Sequence, residues 1–286
     1  MATLSRTGDR FDYESKVWGG HEVGLSPRYL GALRLKYCLE DLSQVQGKVI
    51  EVGCGAGGMA RAIKSCRTDL EVYGCDISRA AIAVARRSQA GVTFDIGDAG
   101  ALPYPDGSFS AVVMLDVLEH LERPEQAIAE ARRILKDGGL FHLFVPCEGE
   151  LSTMHGLLAW AGWRAKERYG GHIQRFTLRQ LAAILEGEGF ARRRRRWSAH
   201  LLNQLVDVTY FTGLSLRGRN AASSVEGYLE RSKPGLVPAV VRATKDVIAI
   251  ASYGESVLLA GVPGAGIHLA CDKALGGGAS MSEGRP

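Results

Sequence analysis

The chain has 286 residues, 46% of them hydrophobic and 23% charged, enough for one large α/β core with a helical appendage. That balance excludes a disordered, collagen-like or fibrous chain, and a net charge of +4 is too modest to argue for nucleic acid by itself. The six cysteines lack CxxC spacing, which excludes a zinc ribbon or redox pair and reads as the reduced thiols of a cytoplasmic protein. The opening MATLSRTGDRFDYES has no apolar signal region, and no uninterrupted apolar run approaches the ~18 residues of a membrane span.

Residues 11–46 set Leu30, Leu33, Leu35, Leu39 and Leu42 among charged residues and predict an N-terminal helical segment over 1–46. KVIEVGCGAGG then reads as a β-branched strand entering a glycine turn, followed by a helix over about 59–65. LEVYGCDIS predicts a second strand ending at Asp76, and SRAAIAVARRSQA a helix with Ser78 as N-cap. VTFDIGDA predicts a third strand ending at Asp98, and AVVMLDVLEHL a fourth ending at Asp116 and opening into a helix. PEQAIAEARRILKDGG reads as a helix from Pro124 with Gly138 just past its C-terminus, before a fifth strand, GLFHLFVPCE. Strand and helix thus alternate over the first 150 residues, the rhythm of a doubly wound parallel sheet whose ligand lies beyond the carboxyl ends of its strands.

The second half is less regular. Residues 151–171 predict one aromatic-bearing amphipathic helix, and Thr177 caps another. ARRRRRWSAH predicts a sixth strand and GIHLACDKAL the last. Residues 199–264 read as a helical insertion, and 275–286 as a flexible tail. The core is then 47–198 with 265–274.

Gly53, Gly55 and Gly58 form G-x-G-x-x-G between strand and helix, a pattern shared by dinucleotide enzymes and others. The charge of the surroundings discriminates. Glu51, Asp76, Asp98 and Asp116 would stand at four neighbouring strand ends. They would repel a pyrophosphate but suit an ammonium, a sulfonium, a ribose and an adenine amine. Asp76, 18 residues after Gly58, can take both ribose hydroxyls. Asp98, followed by Ala99, can accept from the adenine amine, and backbone groups near Leu115 and Asp116 can face the methionine end of S-adenosylmethionine. Cys54 belongs to the same cofactor-binding loop and reads as a small residue tolerated there, not as a nucleophile.

EVGCGAGG, GCDIS, GDAGALPYPDGSFSAVVMLDVLEHL and RILKDGGLFHLFVP together resemble class I S-adenosylmethionine-dependent methyltransferases, of the small-molecule kind that includes ubiquinone and menaquinone biosynthesis enzymes. The resemblance covers roughly residues 45–190 and fades after Trp197. It implies a mostly parallel, seven-stranded Rossmann-like sheet with its last strand antiparallel. It also implies cofactor roles for Glu51, Gly53, Gly55, Asp76, Ile77, Asp98, Ala99 and Asp116. The acids are accounted for by the cofactor, so no metal is expected.

Methyl transfer is an in-line attack on an activated sulfonium, and an oxygen nucleophile usually needs a base poised near neutral pH. His172, after Gly170 and Gly171, is the first candidate, and His155 the second. Glu119 and His120 read as capping or packing residues, and His142 as structural. Tyr13 and Trp18 could close over the cofactor. The arginine run at 192–196 reads as a solvated strand edge or as an anion site. Residues 201–262 carry enough apolar surface to roof an apolar pocket or lie on a membrane. These features lead to a methyltransferase acting on a small or lipid-like acceptor, releasing S-adenosylhomocysteine. The alternatives are a nucleic-acid methyltransferase, disfavoured because LDVLEH stands where DPPY or NPPY would follow strand four, and a non-catalytic S-adenosylmethionine-binding scaffold. A nicotinamide dehydrogenase is disfavoured by the carboxylates.

Overall fold

The computed structural model describes residues 17–29, 31–88, 90–217, 232 and 235–274. Five parallel strands, β1 (Lys48–Val52), β2 (Glu71–Asp76), β3 (Val92–Ile96), β4 (Phe109–Leu115) and β5 (Leu135–Pro146), alternate with helices α2 (Gly58–Cys66), α3 (Arg79–Ala85) and α4 (Pro124–Ile134). β6 (Phe190–Ser198) and β7 (Gly266–Lys273) complete one seven-stranded sheet in the order β3-β2-β1-β4-β5-β7-β6. Only β7 runs antiparallel to its neighbours. The strand order reverses between β1 and β4, the switch point beyond whose carboxyl ends doubly wound sheets place their ligands.

The period-2 pattern of the strands builds both layers. Ile50, Val112, Met114, Phe141 and Leu143 pack with Ile128 and Ile134 of α4 and with α7 (Leu178–Gly187). Val49, Val72, Val113 and Leu115 face the other way, against Ile63 of α2, Ile82 of α3 and α1 (Ala32–Asp41). Glu51 therefore faces the α1–α2 layer, one residue before β1 ends. Ser78 caps α3 by accepting from the Ala81 amide at 3.1 Å, and Thr177 closes a reciprocal capping box with Gln180 on α7.

Several expectations are corrected. Among the described residues the N-terminal helix spans Ala32–Asp41 plus a 3-10 turn at Leu42–Gln44, while 17–29, with Gly19, Gly20, Gly24 and Pro27, runs as irregular backbone. Leu30, Tyr13 and the tail at 275–286 lie outside the described residues. α4 stops at Ile134, so Gly138 is not its cap. Leu135 already pairs with Phe109, and Gly138 (φ +71°) sits at an irregularity inside β5. Residues 151–171 form two helices, α5 (Met154–Trp160) and α6 (Ala165–Gly170), broken at Gly162 with φ +94°. β3 ends at Ile96, leaving Asp98 in the following turn. α8 (Leu201–Arg217) and α9 (Leu236–Leu258) lie between β6 and β7.

The arginine run lies on the exposed edge strand of the sheet, as one of its two readings had it, but two of its members are engaged. A register shift between Arg192 and Arg194 sets Arg194 and Arg196 toward α1. Both donate to the buried carboxylate of Asp41, at 3.0 and 3.1 Å, and Arg196 also reaches Glu40 at 2.8 Å and stacks on the Tyr37 ring. His142 of β5 meets the same Asp41 at 2.9 Å. Burial alone would raise the Asp41 carboxyl, but its bonds to His142 and Arg196 outweigh burial and hold it below the ordinary value. Asp41 thus ties α1 to β5 and β6. Replacing Asp41 by Ala leaves the buried Arg196 guanidinium without this carboxylate and is expected to cost about 3 kcal/mol, read from denaturant unfolding. Because the folded carboxyl titrates low, this stabilisation is present above the ordinary carboxylate range and is lost as pH falls through the folded value. The gap between the wild type and Asp41→Asn should therefore close in acid.

Candidate active site

The turn after β1 is built by backbone hydrogen bonds to β2. Gly53 and Cys54 both donate to the Cys75 carbonyl, at 2.7 and 3.1 Å. Asp76, the last residue of β2, accepts the Gly55 amide on Oδ2 at 2.7 Å and the Ser78 amide on Oδ1 at 2.9 Å. One carboxylate therefore fixes both the glycine loop and the entry to α3 through charge-assisted bonds.

Each glycine of the motif has a steric reason. Gly53 has φ +77°, and a Cβ there would lie 2.4 Å from Val117 Cγ2. Added Cβ atoms at Gly55 and Gly58 would lie 2.5 Å from the Trp18 carbonyl and 2.6 Å from the His21 carbonyl. Residues 18–21 cross the loop as a strap. The Ala56 amide donates to Trp18 O at 2.8 Å and the Gly58 amide to Gly19 O at 2.9 Å. Amides that would otherwise cradle a pyrophosphate at the start of α2 are therefore committed to the chain itself.

The structure brings Glu51, Gly53, Cys54, Gly55 and Asp76 together and disperses the other acids. Burial, reinforced by the Asp76 charge, pushes the Glu51 carboxyl up to about 8, and its Oε2 has no hydrogen-bond partner. Cys54 is buried and its thiol is raised far above the ordinary value by that burial, which suits packing rather than nucleophilic chemistry. Ile77 is exposed beside Asp76. Asp98 accepts from the Gly100 amide at 2.8 Å within its own turn, and Ala99 packs against the core. Leu115 ends β4 and is buried. Asp116 adopts φ +54° and pairs with Arg34 at 3.0 Å, with the Arg34 guanidinium 4.2 Å over the Phe144 ring. The expected ring of four uncompensated acids is thus two acids at the β1–β2 tips, one in a turn and one neutralised by α1.

Beyond Asp116 the 3-10 turn Leu118–His120 lies under the segment that carries His172. Backbone amides of Ile173 and Gln174 donate to the Glu119 carbonyl at 2.9 and 3.0 Å. His172 donates Nδ1–H to Glu148 Oε1 at 2.9 Å, two residues beyond β5, and its ring meets His120 edge-on at 5.1 Å. Burial would raise Glu148, yet His172 and Lys166 hold it down at about 2. Lys166 stays charged despite burial because Asp207 and Glu148 flank its ammonium at 2.9 and 3.1 Å. Glu119 has no exposed surface, and burial followed by the Asp116 charge raises its carboxyl. It caps nothing, since neither oxygen is hydrogen-bonded. His155 is buried on α5 with neither ring nitrogen hydrogen-bonded, and burial followed by Lys166 lowers it to about 4.

Trp18, a sequence candidate to close over the cofactor, begins the strap and accepts the Ala56 amide on its carbonyl; Arg34 and the Glu148–Lys166–Asp207 chain were not among the sequence candidates. Only Glu148 left a signal, as an acid just past the fifth strand.

Residues 50–143 match the family model described as a methyltransferase domain. Ajmaline N-methyltransferase of Rauvolfia serpentina is 28% identical over 181 residues, covering 60% of this chain and 62% of that protein. The ubiquinone/menaquinone biosynthesis C-methyltransferase UbiE of Methylobacterium nodulans is 34% identical over 166 residues, covering 50% of this chain and 66% of that protein. The alignments with these two relatives span just under two thirds of their lengths. The crystal structure of the [4+2]-cyclase SpnF shares the fold at TM-score 0.55 and 21% identity, covering 86% of this chain and 82% of that one. Residues 50–143 thus match a methyltransferase domain, and the chain shares the Rossmann-like fold of its structural neighbour.

Gly53→Ala is expected to destabilise the fold by at least ~1 kcal/mol, from the left-handed backbone and the clash with Val117. Thermal unfolding of Gly53→Ala, Val117→Ala and the double variant checks this. The double variant should recover the steric share and keep the backbone penalty.

Proposed function

We propose that the chain transfers the methyl group of S-adenosylmethionine to a small, apolar or lipid-like acceptor through an oxygen or carbon nucleophile. The observation that carries this reading is the glycine loop: its α2 amides are bonded to the strap, while Glu51 and Asp76 stand at the β1–β2 tips. A loop so occupied disfavours an anionic dinucleotide, and the unpartnered Glu51 oxygen suits a cationic one-carbon donor.

In this reading Glu51, Gly53, Gly55, Asp76 and Ile77 hold the methionine and ribose parts, Asp98 and Ala99 the adenine, and Leu115 and Asp116 the amino-acid side. When bound, the cofactor supplies an activated methyl on a sulfonium. The chain's own contribution is position and charge. His172 supports the base role better than His155. Glu148 fixes the His172 tautomer so that Nε2 can accept a proton, whereas His155 is buried. The apolar acceptor is supported by α8 and α9, which leave Leu202, Leu205, Val237, Val240 and Val247 exposed. These helices would roof the acceptor or lie against a membrane surface; no described helix is long and apolar enough to cross one. The nucleic-acid reading loses support because Arg194 and Arg196 are committed to Asp41 and Glu40.

Calorimetry with S-adenosylhomocysteine tests the assignment. The wild type should bind it and not NADH, and Asp76→Ala should weaken binding about 10- to 100-fold. Unchanged affinity in Asp76→Ala removes that residue from the site. Because Glu51 is protonated up to about 8 in the free protein, pairing it with the ligand ammonium requires ionisation. Affinity should therefore rise with pH toward 8, with proton release at pH 7, and Glu51→Gln should flatten that dependence. For the membrane-facing role of α8 and α9, the chain should float with anionic phosphatidylglycerol vesicles; a chain that stays in the dense fraction disproves it.

A further inference from the structure

We propose that Glu119, His120 and His172 form a binding site for a divalent transition-metal ion on the acceptor side of the pocket. Each residue offers one ligand atom, and the three atoms lie within 4.8 Å of one another. The inference rests on reading that pocket as the acceptor side, and it departs from the expectation that no metal takes part.

Three observations converge. First, Glu119 has no exposed surface, and neither carboxylate oxygen is hydrogen-bonded. A buried carboxyl with no partner is costly, and a cation is what it lacks. Second, both imidazoles are anchored through Nδ1. His120 Nδ1 lies 3.0 Å from the Gly171 carbonyl, and His172 Nδ1 lies 2.9 Å from Glu148 Oε1. A carbonyl or carboxylate behind the ring is how proteins orient metal-binding histidines, and it turns Nε2 toward the ion. His120 Nε2 lies 3.9 Å from Glu119 Oε1. Third, the two segments that supply the ligands are pinned together. The Glu119 carbonyl accepts both the Ile173 and Gln174 amides, so His172 keeps its place relative to the turn.

Two imidazoles and one carboxylate suit zinc, iron(II), cobalt or manganese rather than calcium or magnesium, which prefer all-oxygen shells. Three protein ligands leave an open position for water or for an acceptor oxygen, where the ion would acidify a hydroxyl. With the ion in place, His172 is a ligand, and the acceptor's acidity comes from the cation instead of from a histidine base.

The untagged full chain, freed of metal by a chelator, would be titrated with cobalt(II) and followed by its visible absorption and by calorimetry. One equivalent should bind, with absorption bands typical of nitrogen ligation. Glu119→Gln, which keeps the size of the side chain, and His172→Ala should each weaken binding at least tenfold. Glu148→Ala should weaken it by about tenfold through loss of the Nδ1 acceptor, and Glu186→Ala, at an exposed acid of α7 outside the cluster, should leave it unchanged. Thermal unfolding would show that Glu119→Gln and Glu148→Ala remain folded. Absence of saturable cobalt binding, or equal affinity in Glu119→Gln and His172→Ala, overturns the site. S-adenosylhomocysteine binding by the metal-free chain separates the two readings. If it persists without cobalt binding, only the metal site fails; if it too is absent, the methyl-transfer reading fails.

Discussion

The pocket depends on one carboxylate. Asp76 sits where β2 ends, beside the point at which β1 must turn sharply into α2, and it accepts one amide from each side of that junction. Asp76 gives one oxygen to each of two amides, Gly55 and Ser78, from loops 23 residues apart in sequence, and the carboxylate charge assists both bonds. Once that carboxylate is in place, the glycine loop has a fixed shape. The strap at 18–21 can then lie within hydrogen-bond distance of Ala56 and Gly58. The same geometry explains the glycines. They make room for the strap and for Val117, which the spacing of the motif does not reveal.

Charge at this rim is arranged more economically than the acid content suggests. Asp116 would be a fourth exposed carboxylate, but Arg34 of α1 pairs with it, and Asp41 of the same helix collects His142, Arg194 and Arg196. α1 therefore serves twice: it neutralises the rim at one point and clamps the β5–β7–β6 half of the sheet at another. The negative character left for a cationic ligand is concentrated on Glu51 and Asp76. Glu51 gains it only when something positive draws off its proton, since burial otherwise keeps it neutral.

What was legible in the sequence was local. β1, β2 and β4 announce themselves by apolar period and by the acid that follows, and Ser78 and Thr177 by cap chemistry, because those signals are read within a few residues. What was illegible was set by distant partners. The end of α4 at Ile134 follows from the pairing of Leu135 with Phe109 across the sheet. The roles of Arg194 and Arg196 follow from an aspartate more than 150 residues away. The break at Gly162 needed a tertiary reason too: a continuous amphipathic pattern over 151–171 satisfies a long helix, and Lys166 is drawn instead to Glu148 and Asp207. Glu119 was legible only in part: its full burial fits the packing reading, while its two carboxylate oxygens without a hydrogen bond rule out a cap.

Lys166 also says how the insertion is joined to the core. Its ammonium is nearly enclosed and bridges Glu148, at the end of β5, to Asp207, on α8. Buried ion pairs contribute little net stability against an apolar replacement, so their use lies in specifying one arrangement. Here the arrangement specified is the seat of α8 beside the pocket. Glu148 is shared: one of its oxygens orients His172 while also meeting Lys166. A displacement of α8 that loosened Lys166 would reach His172 through that shared oxygen. The helices that present apolar surface and His172 are therefore parts of one polar framework that joins the insertion to the sheet.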